Sequence, residues 1–126
     1  FNKITNVSGR QYAFPDIERR SNGSVTHFTM IKNYPVQGFA TGDVVPVVLN
    51  DMYKRLEPMQ SCLVNTVHDS MVIDIHPDET DQVLGMINNM NEGLTDLVES
   101  VYGIRMNVPL LLEAKIGPNW LDTVDV

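Results

Sequence analysis

Hydrophobic and polar residues alternate along residues 64–76 in two short runs joined at His68-Asp69. This period of two predicts a β-hairpin with a tight turn. On the second strand, one face carries Met71, Ile73 and Ile75, and the other carries Val72, Asp74 and His76. Counted back through the turn, the same period places Asp69 in phase with the apolar face. A carboxylate there is costly to bury unless a cation such as a metal ion receives it, whereas a turn that breaks the period leaves Asp69 in solvent.

A second pattern, with spacings of three and four residues, runs through residues 78–102 and predicts an amphipathic helix. Its apolar stripe consists of Val83, Ile87, Met90, Leu94, Leu97, Val98 and Val101. Acidic residues fill the first turn, and Gly103 follows where a C-terminal cap is expected. We expect the apolar stripe to pack on a sheet.

Weaker signals predict the remaining elements. Residues 4–14 favour a small hairpin, and residues 107–116 alternate in the manner of a last strand. Residues 24–33 are only weakly helical because several of them are β-branched. In segment 38–57, the valines around Pro46 favour an interrupted strand by propensity alone. Taken together, the elements predict an α+β fold, with helices on one face of an antiparallel sheet.

The composition is that of a single folded domain, with 126 residues of which 43% are hydrophobic. A net charge of −7 argues against a free-standing nucleic-acid binder held by bulk electrostatics. The single cysteine, Cys62, excludes an internal disulfide framework, and its apolar neighbours predict a small core residue. No apolar run approaches the ~20 residues of a bilayer span, so we expect a cytoplasmic protein without a membrane partner. The chain begins at Phe1 rather than Met, so we also expect it to be part of something longer.

Four motifs follow one another along the chain. They are Gly9-Arg10 leading to Pro15-Asp16-Ile17, then Asn33-Tyr34-Pro35-Val36-Gln37-Gly38, then Val67-His68-Asp69, and finally Val108-Pro109-Leu110 with Asn119-Trp120. In this order and spacing, nearly the whole chain resembles the C-terminal part of an A-family DNA polymerase, the DNA polymerase I-like group. The resemblance implies that residues 1–126 form the end of the fingers plus the palm of a right-hand polymerase fold, with an antiparallel palm sheet, a catalytic β-hairpin and covering helices. It also implies a long helix over residues 38–57, with Pro46 in its first turns.

The same resemblance implies a template-directed DNA polymerase that extends a primer by two-metal nucleotidyl transfer. Its partners would be primer-template DNA and deoxynucleoside triphosphates. Asp69 matches one of two carboxylates that hold a pair of Mg²⁺ ions, which makes it the expected catalytic and metal-binding residue. His68 matches the residue that steadies the primer terminus. Asn33 and Gln37 match residues that touch the minor-groove edge of the primer-template, where acceptors are present whatever the sequence.

Two positions depart from the family pattern. Ser70 stands where many relatives carry Glu, which weakens a secondary metal contact but not the primary one. Thr29 stands where relatives often have Arg, and Lys32 is a candidate to compensate. Ser70 and Lys32 are therefore accessory candidates.

The second metal-binding Asp of the family and its Lys-bearing finger helix have no counterpart in the sequence. We therefore expect the N-terminal part of the polymerase to be a missing partner, and the chain to be inactive alone. A truncated polymerase or one product of a divided gene fits this expectation, and compact phage or viral genes are a plausible source.

Two alternatives stay open. One is a non-catalytic module that keeps the palm scaffold and binds DNA or a protein. The other is a self-sufficient metal-dependent phosphohydrolase that uses His68 and Asp69, with His27 and His76 as the available additional ligands. A zinc site built from His27, His76 and Asp74 is disfavoured, because the chain has no His/Cys spacing motif. The sequence upstream of residue 1 would discriminate between these functions.

Overall fold

The computed structural model describes residues 3–126, and within this range the fold is α+β. Its elements are β1 (Lys3–Thr5), β2 (Gln11–Ala13), α1 (Phe28–Phe39), α2 (Val45–Leu56), β3 (Cys62–Val67), β4 (Ser70–Asp74), α3 (Thr80–Tyr102), β5 (Lys115–Ile116) and β6 (Val124–Asp125). A π-helical turn, Ala40–Val44, joins α1 to α2, and a 3₁₀ turn, Pro77–Glu79, leads into α3. No helix in the described part of the chain is both long and apolar enough to cross a membrane.

Residues 28–56 form one continuous helical run, although propensity alone favours a strand around Pro46. Proline has no amide hydrogen, so the regular hydrogen-bond ladder must be interrupted where its ring meets the preceding turn. The π turn Ala40–Val44 lies directly before this point and accommodates it. The helix implied by the polymerase resemblance is therefore present. Pro46 lies in the first turn of α2, as that resemblance implies, and α1 with the π turn precedes it in the same run.

The core forms where α2 and α3 pack together and against one face of the β3–β4 hairpin. Its buried residues are Val44, Val48, Met52 and Leu56 from the π turn and α2, and Val83, Met90, Leu94 and Val98 from α3. The stripe predicted for α3 is confirmed at these last four positions, and Gly103 caps the helix with a φ of 68°. Val101 is 51% exposed instead.

The described strands form three separate two-stranded antiparallel sheets, β1–β2, β3–β4 and β5–β6, and not one continuous sheet. The hairpins predicted at residues 4–14 and 64–76 are confirmed. The last strand predicted over residues 107–116 is wrong for most of its length, because only Lys115–Ile116 is paired. The side chain of Asn91 on α3 accepts from the Leu112 amide at 2.6 Å and donates to its carbonyl at 3.0 Å. A side-chain amide thus takes the place of a neighbouring strand.

Cys62 is exposed, so the prediction of a core cysteine is wrong. The register explains the error. Leu63 pairs with Ile73 on the face that packs against the core, and Cys62, one residue earlier, points to the opposite face. The buried small residue at this end of the hairpin is Ser61, whose hydroxyl donates to Glu79 at 2.6 Å.

Candidate functional site

The tip of the β3–β4 hairpin is a two-residue turn made by His68 and Asp69. Val67 pairs with Ser70 across the turn, and the Ser70 hydroxyl donates to the Val67 carbonyl at 2.8 Å. His68 has a φ of 55°, a left-handed conformation that is uncommon for residues other than glycine. Strained backbone of this kind persists only where its surroundings determine it, and it is concentrated at functional sites. The turn therefore presents Asp69 from a closely defined backbone position.

A β-bulge lies in β3 below this tip. Leu63 is opposite Ile73 and Asn65 is opposite Val72, so Val64 is an extra residue in the ladder. A bulge twists the strand and changes the direction in which the following side chains point, and bulges are over-represented next to active sites. The unbulged strand, β4, keeps its regular period up to the turn. The bulge thus changes the direction of β3, while the side chains of β4, which follows Asp69, keep their regular alternation between the two faces.

Asp69 is exposed, yet it also lies at the edge of the apolar face. It lines two neighbouring cavities, of about 380 Å³ and about 310 Å³, together with Met71, Leu111 and Leu112. Within residues 3–126 the Asp69 carboxylate forms no ion pair. The sequence left open whether Asp69 lies on the apolar face of the hairpin or in solvent. In the structure its side chain lies beside Met71 at the edge of that face and is still exposed, so the carboxylate is available to an external ligand.

The smaller of these cavities connects the hairpin tip to the end of α1. Phe39, Ala40 and Thr41 line it opposite Asp69, and the Thr41 hydroxyl donates to the Gln37 carbonyl at 2.6 Å. The helical turn that follows Gln37 therefore shares a groove with Asp69. Gln37 itself does not line the cavity, so the structure relates Asp69 to the end of α1 and not directly to the Gln37 side chain.

Asn33 and Gln37 are both exposed on α1 and, four residues apart, lie on the same side of the helix. Lys32 is also exposed, and its Nζ lies 4.3 Å from the centroid of the Phe28 ring, a cation–π distance. His68 is exposed at the hairpin tip. All four side chains are accessible to a macromolecule that approaches from solvent.

Gly38 allows α1 to approach the β1–β2 hairpin closely beside Gln37. A Cβ atom at this position would lie 1.8 Å from the Tyr12 hydroxyl oxygen and 2.8 Å from the ring carbon that bears it. Any side chain here would force Tyr12 to move. In the Gln-Gly pair of the sequence motif, Gln37 therefore supplies an exposed side-chain amide, and Gly38 provides the close packing against Tyr12.

A buried carboxylate, Asp43, was not identified from the sequence, although it organises the same region. It lies in the π turn and is 6% exposed. Arg10 donates to its Oδ1 from Nε at 2.9 Å and from Nη2 at 2.6 Å. Asn6 at 3.1 Å and Ser8 at 2.5 Å donate to its Oδ2. The Tyr102 hydroxyl donates to the Asp43 carbonyl at 2.9 Å, so three parts of the chain meet at this residue.

Burial of Asp43 works against its ionisation, but the hydrogen bonds from Arg10, Ser8 and Asn6 outweigh burial and hold the pKa of this carboxyl below its ordinary value. The contact raises the pKa of Arg10 in turn. A signal for this network is present in the sequence, because Asp43 is the one acidic residue beside a run of valines. An acid in such a run needs a cation, and Arg10 follows the Ser8-Gly9 turn that brings it there.

The described residues do not by themselves complete a metal site. Among residues 3–126, no three His, Cys, Asp or Glu side chains come close enough together to hold a metal ion. Asp69 fits one ligand position, since it is an exposed carboxylate without an ion pair in the same range. The phosphohydrolase alternative, which needs His27 and His76 beside His68 and Asp69, lacks its ligand set within these residues.

The hairpin turn and the exposed amides of α1 are the structural features of the candidate site, and comparison with known proteins identifies the family of the chain. The sequence profile of DNA polymerase family A matches residues 2–122. The chain therefore belongs to DNA polymerase family A.

Three relatives illustrate the similarity. The thermostable DNA polymerase I of Thermus aquaticus is 30% identical over 120 residues, which cover 94% of this chain and 13% of that protein. The thermostable DNA polymerase I of Thermus filiformis is 27% identical over 121 residues, again 94% and 13%. The DNA polymerase of Bacillus phage SP01 is 27% identical over 124 residues, 97% of this chain and 13% of that protein. The chain thus spans about an eighth of these relatives' length. No solved structure matches it.

Proposed function

We propose that residues 1–126 form the C-terminal part of the polymerase domain, the end of the fingers plus the palm, of a template-directed DNA polymerase. The enzyme would add deoxynucleotides to a primer 3′ end. The observation that carries this proposal is the exposed Asp69 carboxylate, presented by a strained two-residue turn and sharing a groove with the end of the helix that bears Gln37. Membership of DNA polymerase family A supports the same function.

In this proposal each exposed residue has a distinct task. Asp69 supplies a carboxylate oxygen to the cations, and the fixed turn keeps that oxygen in place, because a shift of about 1 Å is enough to impair catalysis. His68 steadies the primer terminus next to it. Asn33 and Gln37 donate from α1 to minor-groove acceptors, which every base pair offers, so the contact senses pair geometry without selecting a base.

Divalent metal ions, Mg²⁺ in our proposal, would stabilise the charge that develops on the reacting oxygens when bound at Asp69. A pair of ions needs more carboxylates than the described residues bring together. We therefore propose that a further carboxylate and the nucleotide-gripping residues come from an N-terminal part of the polymerase. Ser70 donates to the Val67 carbonyl, and in this proposal it serves the turn more than the metal.

The first test is primer extension with Mg²⁺ and all four deoxynucleoside triphosphates. The purified 126-residue chain should give no template-dependent incorporation above a protein-free blank, whereas the native-length polypeptide that contains it should extend the primer. Incorporation by the 126-residue chain alone would show that the site is complete within it. Absence of extension by the native-length polypeptide would favour the alternative of a non-catalytic DNA- or protein-binding module.

A second prediction concerns Gln37. Gln37→Ala in the native-length polymerase should slow extension of matched primer termini roughly three- to tenfold, because one hydrogen bond to a neutral acceptor contributes about 0.5–1.5 kcal/mol. The response to a mismatched terminus should also change, while the Mg²⁺ requirement should not. The measurement is extension of matched and mismatched primers across a Mg²⁺ titration. A shifted Mg²⁺ optimum with unaltered mismatch behaviour would place Gln37 at the metals and contradict the proposed minor-groove contact.

A further inference from the structure

Charge is distributed very unevenly along this acidic chain. Residues 1–32 contain five Lys and Arg against two Asp and Glu, whereas residues 33–126 contain four Lys and Arg against fourteen Asp and Glu. The overall charge of −7 therefore hides an N-terminal segment that is net positive. An uneven distribution of this kind orients a polyanion toward one face of a protein and away from the rest.

The basic residues also differ in how they are partnered. Arg10, Arg55, Arg105 and Lys115 each form an ion pair with an Asp or Glu. Within residues 3–126, no ion pair involves Lys3, Arg19, Arg20, Lys32 or Lys54, and all five side chains are exposed. Arg19, Arg20 and Lys32 are the three of these that lie in α1 or in the loop before it. Their positive charge is thus available to a ligand from solvent.

The local fold brings these cations to the start of α1. Residues 18–26 form a small loop that reverses direction. Arg19 and Val25 form an isolated antiparallel β-bridge through their backbones, and the Arg20 amide donates to the Ser24 carbonyl at 2.8 Å. The loop leads directly into α1, whose first turn carries Phe28 and whose next turn carries Lys32. Lys32 is held over the Phe28 ring and adjoins Asn33, so the basic loop feeds into the helix proposed to contact the minor groove.

We infer that Arg19, Arg20 and Lys32 form a phosphate-binding face that contacts the backbone of the same primer-template duplex whose minor groove receives Asn33 and Gln37. This inference rests on the proposed function, which supplies the duplex as the occupant. Phosphate contacts fix the register and orientation of a protein on DNA without reading sequence, and Arg and Lys are the usual donors. The acidic remainder of the chain repels DNA, so the face both attracts the duplex and sets its orientation.

The test compares two double variants of the 126-residue chain that each remove two positive charges. Arg19→Gln with Arg20→Gln alters the proposed face, and Lys54→Gln with Arg105→Gln is the matched control. Binding of a fluorescently labelled primer-template duplex is measured by anisotropy from 50 to 200 mM NaCl in EDTA, so that no metal ion contributes. Far-UV circular dichroism confirms that both variants keep the fold, which is expected because the Arg19 and Arg20 side chains are exposed.

We expect the Arg19/Arg20 variant to bind about tenfold more weakly at 50 mM salt, with the slope of log K against log salt smaller in magnitude by about 2, since each phosphate contact contributes about 0.9. Lys32→Gln should reduce the slope by about 1. Equal losses in the control would overturn the inference, because DNA would then respond only to net charge. Unchanged binding of the Arg19/Arg20 variant, or no binding by the unmodified chain, would also overturn it. A failure of the catalytic proposal would be seen in a different experiment, as primer extension that is not impaired by Asp69→Asn in the native-length polymerase.

Discussion

Replacing Asp69 by asparagine in the native-length polymerase should lower the rate of primer extension by at least about a thousandfold, with little change in DNA affinity. Asparagine keeps the size of the side chain and its place in the turn, but it removes the negative charge that would hold the cations. The measurement is single-turnover extension of a matched primer, with DNA affinity determined in parallel by anisotropy.

The same strand offers a matched control for this substitution. Asp74 is also exposed, and it lies opposite Cys62 at the far end of the hairpin from the turn. Asp74→Asn removes an equal charge and should leave extension nearly unchanged. A near-normal rate for Asp69→Asn would mean that Asp69 is only a turn residue. An equally severe loss with Asp74→Asn would mean that the hairpin acts through its overall charge and not through a carboxylate at its tip.

The parts of the fold that could be predicted from sequence are those in which a local period decides the structure. The alternation at Met71, Ile73 and Ile75 faces the core as predicted, because a strand period of two fixes the face once the hairpin register is set. The stripe on α3 is equally informative, and Gly103 caps that helix. In both cases neighbouring residues supply the information, so sequence alone was sufficient.

Prediction was less successful where a distant residue determines the local structure. The alternating run 107–116 has the pattern of a strand, but Asn91 on α3 occupies the hydrogen-bonding groups of Leu112. Cys62 has apolar neighbours, but the register of the hairpin turns it to solvent. The Asn91 contact has no signature near residues 107–116, because its partner lies 21 residues away, and the face of Cys62 depends on its pairing with Asp74 and not on the apolar character of its neighbours.

The candidate site follows the same division. Asp69, His68, Asn33 and Gln37 were predicted from their motifs, and the structure adds a groove that Asp69 shares with Phe39, Ala40 and Thr41 at the end of α1. The Asp43 network was missed because its donors come from residues 6–10, more than thirty positions away. This network holds the β1–β2 hairpin against the π turn, and Asp43 lies six residues after Gln37, one of the residues of α1 that would contact DNA.

Asp43→Asn should therefore destabilise the fold, by about 1–2 kcal/mol at neutral pH. A hydrogen bond to a charged group contributes about 1.5–3 kcal/mol, and this range is reduced because the main donor, Arg10, is half exposed. The free energy of unfolding, from urea denaturation followed by circular dichroism, measures the effect. Asp96→Asn on α3 is the matched control, because it removes the same charge from an exposed position and should change stability by less than about 0.5 kcal/mol.

The pH dependence identifies the cause of this loss. The folded-state pKa of Asp43 lies below its ordinary value, so its stabilising contribution is complete above the unfolded-state pKa of about 3.9 and is lost as the pH falls through the folded-state value. Asparagine does not titrate. The difference in unfolding free energy between the original chain and Asp43→Asn should therefore be constant from about pH 7 down to about pH 5, and then shrink steadily in more acidic solution. A difference that stays constant through the acidic range would show that the ionised carboxylate is not what stabilises the π turn, and that the cost arises from altered packing around Asp43.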